Sequence, residues 1–565
     1  MSHGGARDAP EIPDLPPLDR LPSTAFPLRA TLAADTPFAL AGRRARLAGG
    51  PTGLGGVVDP GGADLTIAGG FLTDIASLDG VVTPLGAERR LRTPDGKVLE
   101  RLVVPRTGAA WLVEWTPDTA RHLTLSWSCT LPGPCSWNVL PRGLLLSTPS
   151  ARALFFFSDT VTLSVEAADG GCRVTATVAA DAESGVRLAV AAGPPNGLAG
   201  AVRSVARPDA VVKVLRGHAE RLAADRLWLR QGREPVEALE WSKVALEAPP
   251  SAPAPVPAVV EHAMAALATG DPGPARDALR RLARAHPGDG AAAGSGSRRD
   301  GRDVAAFPTT DTAWYVRLGG VYLRWTGDLG TTRGAWPWLY RGGLAVLSAL
   351  EESGLEKGAL EESGQEKGPL GEGGQEKGVL EETLELLADA AEAIGESRAA
   401  ERFRITKGPK GGVQEVRDGP GGSGPAPLRL GPGGQVMDAT TASAVVGRVV
   451  RGLLGAEPDA TRGRLVLRPR PEEHGFSAGG IMVGKAVVTL HYSRAGSRHT
   501  FRLTQERGGA PVNVVLEPAL PGERLVSAMV DGQPAELDPR REGDRVVVPV
   551  QLVVDHPREV ALELA

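Results

Sequence analysis

At 565 residues the chain is too long for one hydrophobic core, and two to four domains are expected. Hydrophobic residues make up 42% and charged residues 23%, and the net charge of −4 comes without a strong block of either sign, so neither nucleic acid nor a membrane surface is an expected partner. No apolar run approaches the ~18 residues of a membrane span, and the polar, proline-rich N-terminus lacks the basic and apolar regions of a signal peptide.

Residues 1–25 read as a disordered leader. From 26 to 208 the pattern is β. Trp111-Leu-Val-Glu-Trp115, Leu123-Thr-Leu-Ser-Trp127, Val161-Thr-Leu-Ser-Val165, Val174-Thr-Ala-Thr-Val178 and Val186-Arg-Leu-Ala-Val190 alternate with period two between Gly, Pro and Asp turns. Short alternating strands at this spacing predict a large antiparallel sandwich, with its Trp and Phe residues in the core. The cysteines are three: Cys129, Cys135 and Cys172. Cys129 and Cys135 flank a Leu-Pro-Gly-Pro turn, which leaves a small disulfide geometrically possible. Buried reduced thiols are the favoured reading, and an odd count fits a reducing, cytoplasmic setting.

At Asp209 the period changes to that of helices, which are predicted to fill 209–460. They include Ala219 to Trp228, Val236 to Trp241, Ala258–Ala268, Pro274–Ala285, Thr312–Thr326 and Arg333–Leu350. Thr331 or Thr332 is the predicted N-cap after the Thr326-Gly-Asp328 turn. A ten-residue repeat occupies 350–380, each unit opening on Leu350, Leu360 or Leu370. Its units offer too few apolar side chains to stack, so a solvated helix or loop is expected rather than a solenoid. Good helix returns over Glu381–Arg404, a Gly/Pro-rich loop spans 405–436, and Ala439–Leu454 is the last helix. From 461 to 565 the pattern is β again, and Asp531-Gly532 marks a hairpin turn.

The order of four segments resembles the bacterial amylo-α-1,6-glucosidase (glycogen-debranching) branch of the six-hairpin glycosidases. Leu239-Glu-Trp-Ser-Lys-Val-Ala-Leu246 resembles the helix leading into that family's toroid. Ala263-Met-Ala-Ala-Leu-Ala-Thr-Gly-Asp271 with Ala275-Arg-Asp-Ala-Leu-Arg-Arg-Leu282 is similar to its first hairpin. Thr310-Asp-Thr-Ala-Trp-Tyr-Val316, Tyr322-Leu-Arg-Trp-Thr-Gly-Asp328 and Ala335-Trp-Pro337 resemble an Asp before an aromatic-bearing helix, then Y-L-x-x-T-G-D, then x-W-P. Gly452-Leu-Leu-Gly-Ala-Glu-Pro-Asp-Ala460 and Gly463-Arg-Leu-Val-Leu-Arg-Pro469 look like the exit into a C-terminal sandwich.

The resemblance implies a multidomain β-α-β fold. An N-terminal antiparallel β-sandwich comes first, then a shortened (α/α) six-hairpin-type toroid, then a small C-terminal β-sandwich. It implies an oligosaccharide or polysaccharide ligand and no cofactor. It also implies acid/base hydrolysis of an α-glucan or related oligosaccharide by an inverting pair of carboxyl groups, roughly 6.5–9.5 Å apart. Asp311 carries over as a ligand to sugar hydroxyls, with Trp314 and Tyr315 as aromatic neighbours; capping of the Thr312 helix by Asp311 is equally open, and for the two aromatics core packing is the favoured reading over stacking. The family's aromatic-Gly-Arg-Asp segment is replaced by Pro255-Val-Pro-Ala-Val259, and the repeat stands where its acid segment belongs. The catalytic pair is therefore unassigned, and a catalytically inactive carbohydrate-binding or scaffold protein on the same frame is the alternative. The nine histidines show no H-x-x-x-H or H-E-x-x-H spacing, so no metal site is expected.

Overall fold

The computed structural model describes residues 14, 15 and 18, most of 30–206, and 227–230, 233–247, 255–285, 309–362, 372–404, 439–471 and 475–565. The Gly/Pro-rich segment 405–436 and the span Ala219 to Arg226 lie outside them. Two compact units are present, one built on the N-terminal sheets and one combining most of the helices with the C-terminal sheets.

In the first unit a nine-stranded antiparallel sheet runs from Ala30–Ala33 at one edge to Ser136–Leu140 at the other, and a seven-stranded sheet runs from Val161–Ala168 to Phe38–Ala41. The alternation read from the sequence is the burial pattern of these strands: along Gly171–Ala180 every second side chain is buried. The aromatic residues meet between the sheets. Phe71 lies 5.5 Å from Trp111, 5.8 Å from Trp115 and 5.2 Å from Trp127, and Trp127 stacks on Phe155 at 5.5 Å. Arg89 is buried with them, paired with Glu100, whose other oxygen accepts the Trp115 indole N–H at 2.8 Å. Arg89 also donates at 2.8 Å to the Gly50 carbonyl, tying one sheet to the other.

Two expectations need correction here. The 1–25 segment is not all disordered leader, because Leu15 and Leu18 are buried on the outer face of the nine-stranded sheet beside Leu112, Phe156 and a helix, α1 (Leu198–Ala206). The cause is a charged row beneath them. Glu88, Arg101, Glu114 and Arg187 alternate across four adjacent strands, with ion-pair distances of 3.0, 3.0 and 3.9 Å. Glu114 accepts the Leu18 amide at 3.0 Å, and Arg187 donates to the Leu15 carbonyl at 2.8 Å. The second correction is α1 itself. The β pattern stops at Gly193, and the Pro194-Pro-Asn-Gly197 turn leads into helix.

The described helices of the central region are α2 (Arg233–Ala245), α3 (Val256–Ala268), α4 (Gly273–Ala285), α5 (Thr309–Thr326), α6 (Leu329–Glu362), α7 (Glu372–Ile394), α8 (Ser397–Phe403) and α9 (Ala439–Gly447). A π-helical turn, Arg448–Leu453, follows α9 where one continuous helix was predicted. The pairs α3/α4, α5/α6 and α7/α8 are three hairpins among the described residues. The repeat is helical at 350–362 and 372–380. Ala313, Val316, Leu339, Leu384, Leu387 and Phe403 form the core of α5 to α8. Trp228–Arg230 is strand, not the end of a helix, and it extends the C-terminal sheet by pairing with Ser477–Gly479. No helix among the described residues is long and apolar enough to cross a membrane.

The C-terminal strands form a seven-stranded, a four-stranded and a three-stranded sheet. The predicted hairpin turn is there: Asp531 and Gly532 take φ of 52° and 77°, between Leu525–Val530 and Gln533–Pro534. Two positive φ values are what a two-residue turn needs to follow the twist of its strands.

Candidate functional site

Two of the three hairpins are joined by the same tripeptide, Thr-Gly-Asp. At Thr269-Gly-Asp271 the glycine has φ 96°, and the Asp271 carboxylate accepts the Gly273 amide at 2.9 Å. At Thr326-Gly-Asp328 the glycine has φ 64°, and Asp328 Oδ1 accepts the Thr331 amide at 3.0 Å. The chemistry is that of a helix stop followed at once by a helix start: a left-handed glycine ends the first helix and a carboxylate accepts a backbone amide in the first turn of the second. Asp328 is therefore the N-cap of α6, in place of the predicted Thr331 or Thr332. Those threonines lie inside the first turn, where the Thr331 hydroxyl donates to Asp328 Oδ2 at 2.7 Å and the Thr332 hydroxyl to the Asp328 carbonyl at 3.0 Å.

Tyr322 completes this arrangement. Its buried hydroxyl donates to Asp328 Oδ2 at 2.7 Å and accepts from Arg276 of α4 at 3.3 Å. Burial alone would raise the Asp328 carboxyl, but the hydrogen bonds from Thr331 and Tyr322, with the charge of Arg276, bring its pKa down to about 2. The Y-L-x-x-T-G-D segment thus locks a turn and joins two hairpins. The tip it builds rests on the C-terminal sheets of the same unit: the Ala460 amide donates to Arg324 O at 2.6 Å and the Gly484 amide to Trp325 O at 2.8 Å. Arg462 reaches Asp389 of α7 at 3.5 Å, and Asp389 also pairs with Arg324.

The three residues singled out by sequence lie at the other end of α5. Asp311 belongs to the first helical turn, which begins at Thr309, so it does not stand ahead of the helix as its N-cap. A carboxylate in that turn faces the positive end of the helix dipole. Trp314 and Tyr315 follow at the i+3 and i+4 positions, so all three lie along one side of the helix. Their surroundings differ. Trp314 is half-buried with the Arg317 guanidinium 5.5 Å above its ring, and Arg317 is held by both oxygens of Glu382 of α7 at 2.9 and 3.1 Å. Tyr315 meets Trp338 edge-on at 6.0 Å and packs against the helical core. Trp336 and Tyr340 pack on the same core, and Tyr340 meets Phe403 at 5.6 Å.

One end of α5 therefore offers a carboxylate, an indole and a guanidinium in succession. These are an acceptor for hydroxyl groups, an apolar plane and a fixed donor. Arg317 and Glu382 were not among the residues chosen from sequence. The helical spacing of Arg317 from Trp314 was readable, but the contact with Glu382, 65 positions away, was not. Among the described residues no cluster of three or more His, Cys, Asp or Glu side chains could hold a metal ion.

No family model matches the chain, and no curated protein matches it. Among solved structures the chain is similar to a putative kojibiose phosphorylase from human microbiome, with TM-score 0.43, 8% identity, and 94% of this chain and 92% of that chain covered. It is similar also to an α-L-rhamnosidase from Dictyoglumus thermophilum, with TM-score 0.35, 10% identity, and 95% and 82% covered. A family GH92 α-mannosidase from Bacteroides thetaiotaomicron gives TM-score 0.33, 9% identity, and 87% and 85% covered.

Proposed function

We propose that the chain is a carbohydrate-active protein of the glycoside hydrolase type, acting on an α-glucan or a related oligosaccharide by acid/base hydrolysis, with the Asp311 end of α5 against the sugar. The observation that supports this reading most directly is the succession of Asp311, Trp314 and Arg317 on one end of a helix whose turns carry the glycosidase-like motifs. In this reading Asp311 accepts hydrogen bonds from ring hydroxyls, Trp314 supplies an apolar plane for a sugar face, and Arg317, oriented by Glu382, donates to a further hydroxyl. Tyr315 supports Trp338 from the core side. The two carboxyl groups that hydrolysis requires are not assigned.

A second reading, a catalytically inactive carbohydrate-binding or scaffold protein, is favoured by one feature. Two carboxylates of α7 that reach α5 are committed to arginines, Glu382 to Arg317 and Asp389 to Arg324 and Arg462. A general acid must instead be free to give up a proton to the leaving oxygen.

The test is reducing-sugar release from glycogen, branched dextrins and maltooligosaccharides, run beside tryptophan-fluorescence titration with the same sugars, for the parent and Asp311→Ala. Loss of a charge-assisted hydrogen bond of about 1.5–3 kcal/mol weakens binding by roughly tenfold to a hundredfold. Release that falls with affinity supports the hydrolase. Binding that falls in the variant, with no release from either protein, selects the binding reading. If neither release nor binding occurs, both readings fail.

A further inference from the structure

Two of the chain's three cysteines face each other near the ends of neighbouring strands of the N-terminal sandwich. Cys129 does not face Cys135, as the turn between them had left open. Its partner is Cys172, directly opposite it in register on the neighbouring antiparallel strand, with the two sulfur atoms 3.3 Å apart. Both thiols are free and face the buried interior. Residues opposite one another on antiparallel strands have Cα atoms about 4.5–5.5 Å apart, inside the range a disulfide spans without backbone movement. Cys135 lies on the crossing that leads from the seven-stranded to the nine-stranded sheet. It is partly exposed, and partial burial first, then the charge of Cys172, push its thiol up.

We propose that Cys129 and Cys172 are a reversible dithiol/disulfide pair, oxidised by small disulfides through Cys135. Cys135 attacks one sulfur of a low-molecular-weight disulfide RSSR and releases RSH, forming a mixed disulfide. Cys172 displaces the second RSH from Cys135, and Cys129 then attacks Cys172 and restores the Cys135 thiol. Two protein thiols are oxidised to one disulfide, and RSSR is reduced to two RSH. The hydrogen bond between the thiols suits this order. It holds Cys172 below the ordinary thiol range and pushes Cys129 above it, favouring Cys172 as the attacking thiolate.

The experiment exploits the spacing of arginines. Trypsin releases Cys129 and Cys135 together on residues 122–142 and Cys172 on residues 153–173. The full-length protein is incubated with glutathione disulfide, alkylated with iodoacetamide and digested without reduction. The expected product is the 122–142 peptide cross-linked to the 153–173 peptide, with Cys135 alkylated. Cys135→Ser should give the same cross-link roughly tenfold more slowly, and Cys172→Ser should give none. Alkylation of all three thiols in the parent, or a 122–142 peptide closed on itself, overturns the proposal. An unchanged rate in Cys135→Ser overturns the relay. The parent measurement stands even if a variant fails to fold.

Discussion

Asp328 is the residue on which most local chemistry converges, because its two oxygens receive Tyr322, the Thr331 hydroxyl and the Thr331 amide. Asp328→Ala should lower stability by about 2–3 kcal/mol in urea unfolding, combining a lost cap with an orphaned tyrosine hydroxyl. The pH dependence has a definite sign. With a folded pKa of about 2, below the unfolded value, the Asp328 contribution is complete above about pH 4 and is lost as pH falls toward 2. His499 works in a different window. Burial first, and then the charge of Arg494, lower its pKa to about 4, while Tyr492 Oη lies 2.9 Å from Nδ1. Above pH 6.5 the ring is neutral in both states. As pH falls from 6.5 to 4 the unfolded chain takes the proton and the folded one does not, so stability drops by on the order of 2–3 kcal/mol. In His499→Gln that part of the acid slope should flatten, as read by thermal melting across this range. Neither shift was visible in the sequence, since the burial of His499 and the meeting of Asp328 with Tyr322 and Arg276 come from packing.

At the scale of elements, helix packing depends on glycines that bring backbones close. A Cβ on Gly320 of α5 would lie 2.6 Å from Leu386 Cβ and 3.1 Å from the Leu386 carbonyl oxygen. Gly320→Ala should therefore destabilise the unit by about 1–3 kcal/mol, although alanine favours helix by about 1 kcal/mol over glycine at an open site. Gly334 on α6, where a Cβ would meet nothing within 4 Å, is the control, and its alanine variant should be neutral or stabilising in the same denaturant titration. Helices, strands and the Asp531-Gly532 turn were legible because each is written in a periodicity or a turn dipeptide. The role of Thr-Gly-Asp was legible only in part. The tripeptide reads as a turn in either place, but its cap is chosen by a carboxylate that folds back on the next turn. Strand Trp228–Arg230 was missed because three residues hold no period, and only their pairing with Ser477–Gly479 makes them a strand.

Within the N-terminal unit, Leu15 and Leu18 belong to the packed core rather than to a leader. Leu18→Ala should cost about 2–4 kcal/mol in the melting of this unit, whereas a leader residue would cost nothing. The sequence by itself determined the β-α-β order, the aromatic core of the first sandwich and the hairpin turns, because local propensity and side-chain period decide these. The resemblance carried by its motifs pointed to Asp311, Trp314 and Tyr315, but that the three share one side of a helix followed only once the helix was seen to begin at Thr309. Only the tertiary structure decided that Tyr315 packs on Trp338 while Trp314 lies under Arg317, that Cys129 faces Cys172, and that Leu15 and Leu18 are buried. Each of these joins residues far apart in the chain. Their energy comes from burial and charge pairing between separate elements, which no local pattern encodes.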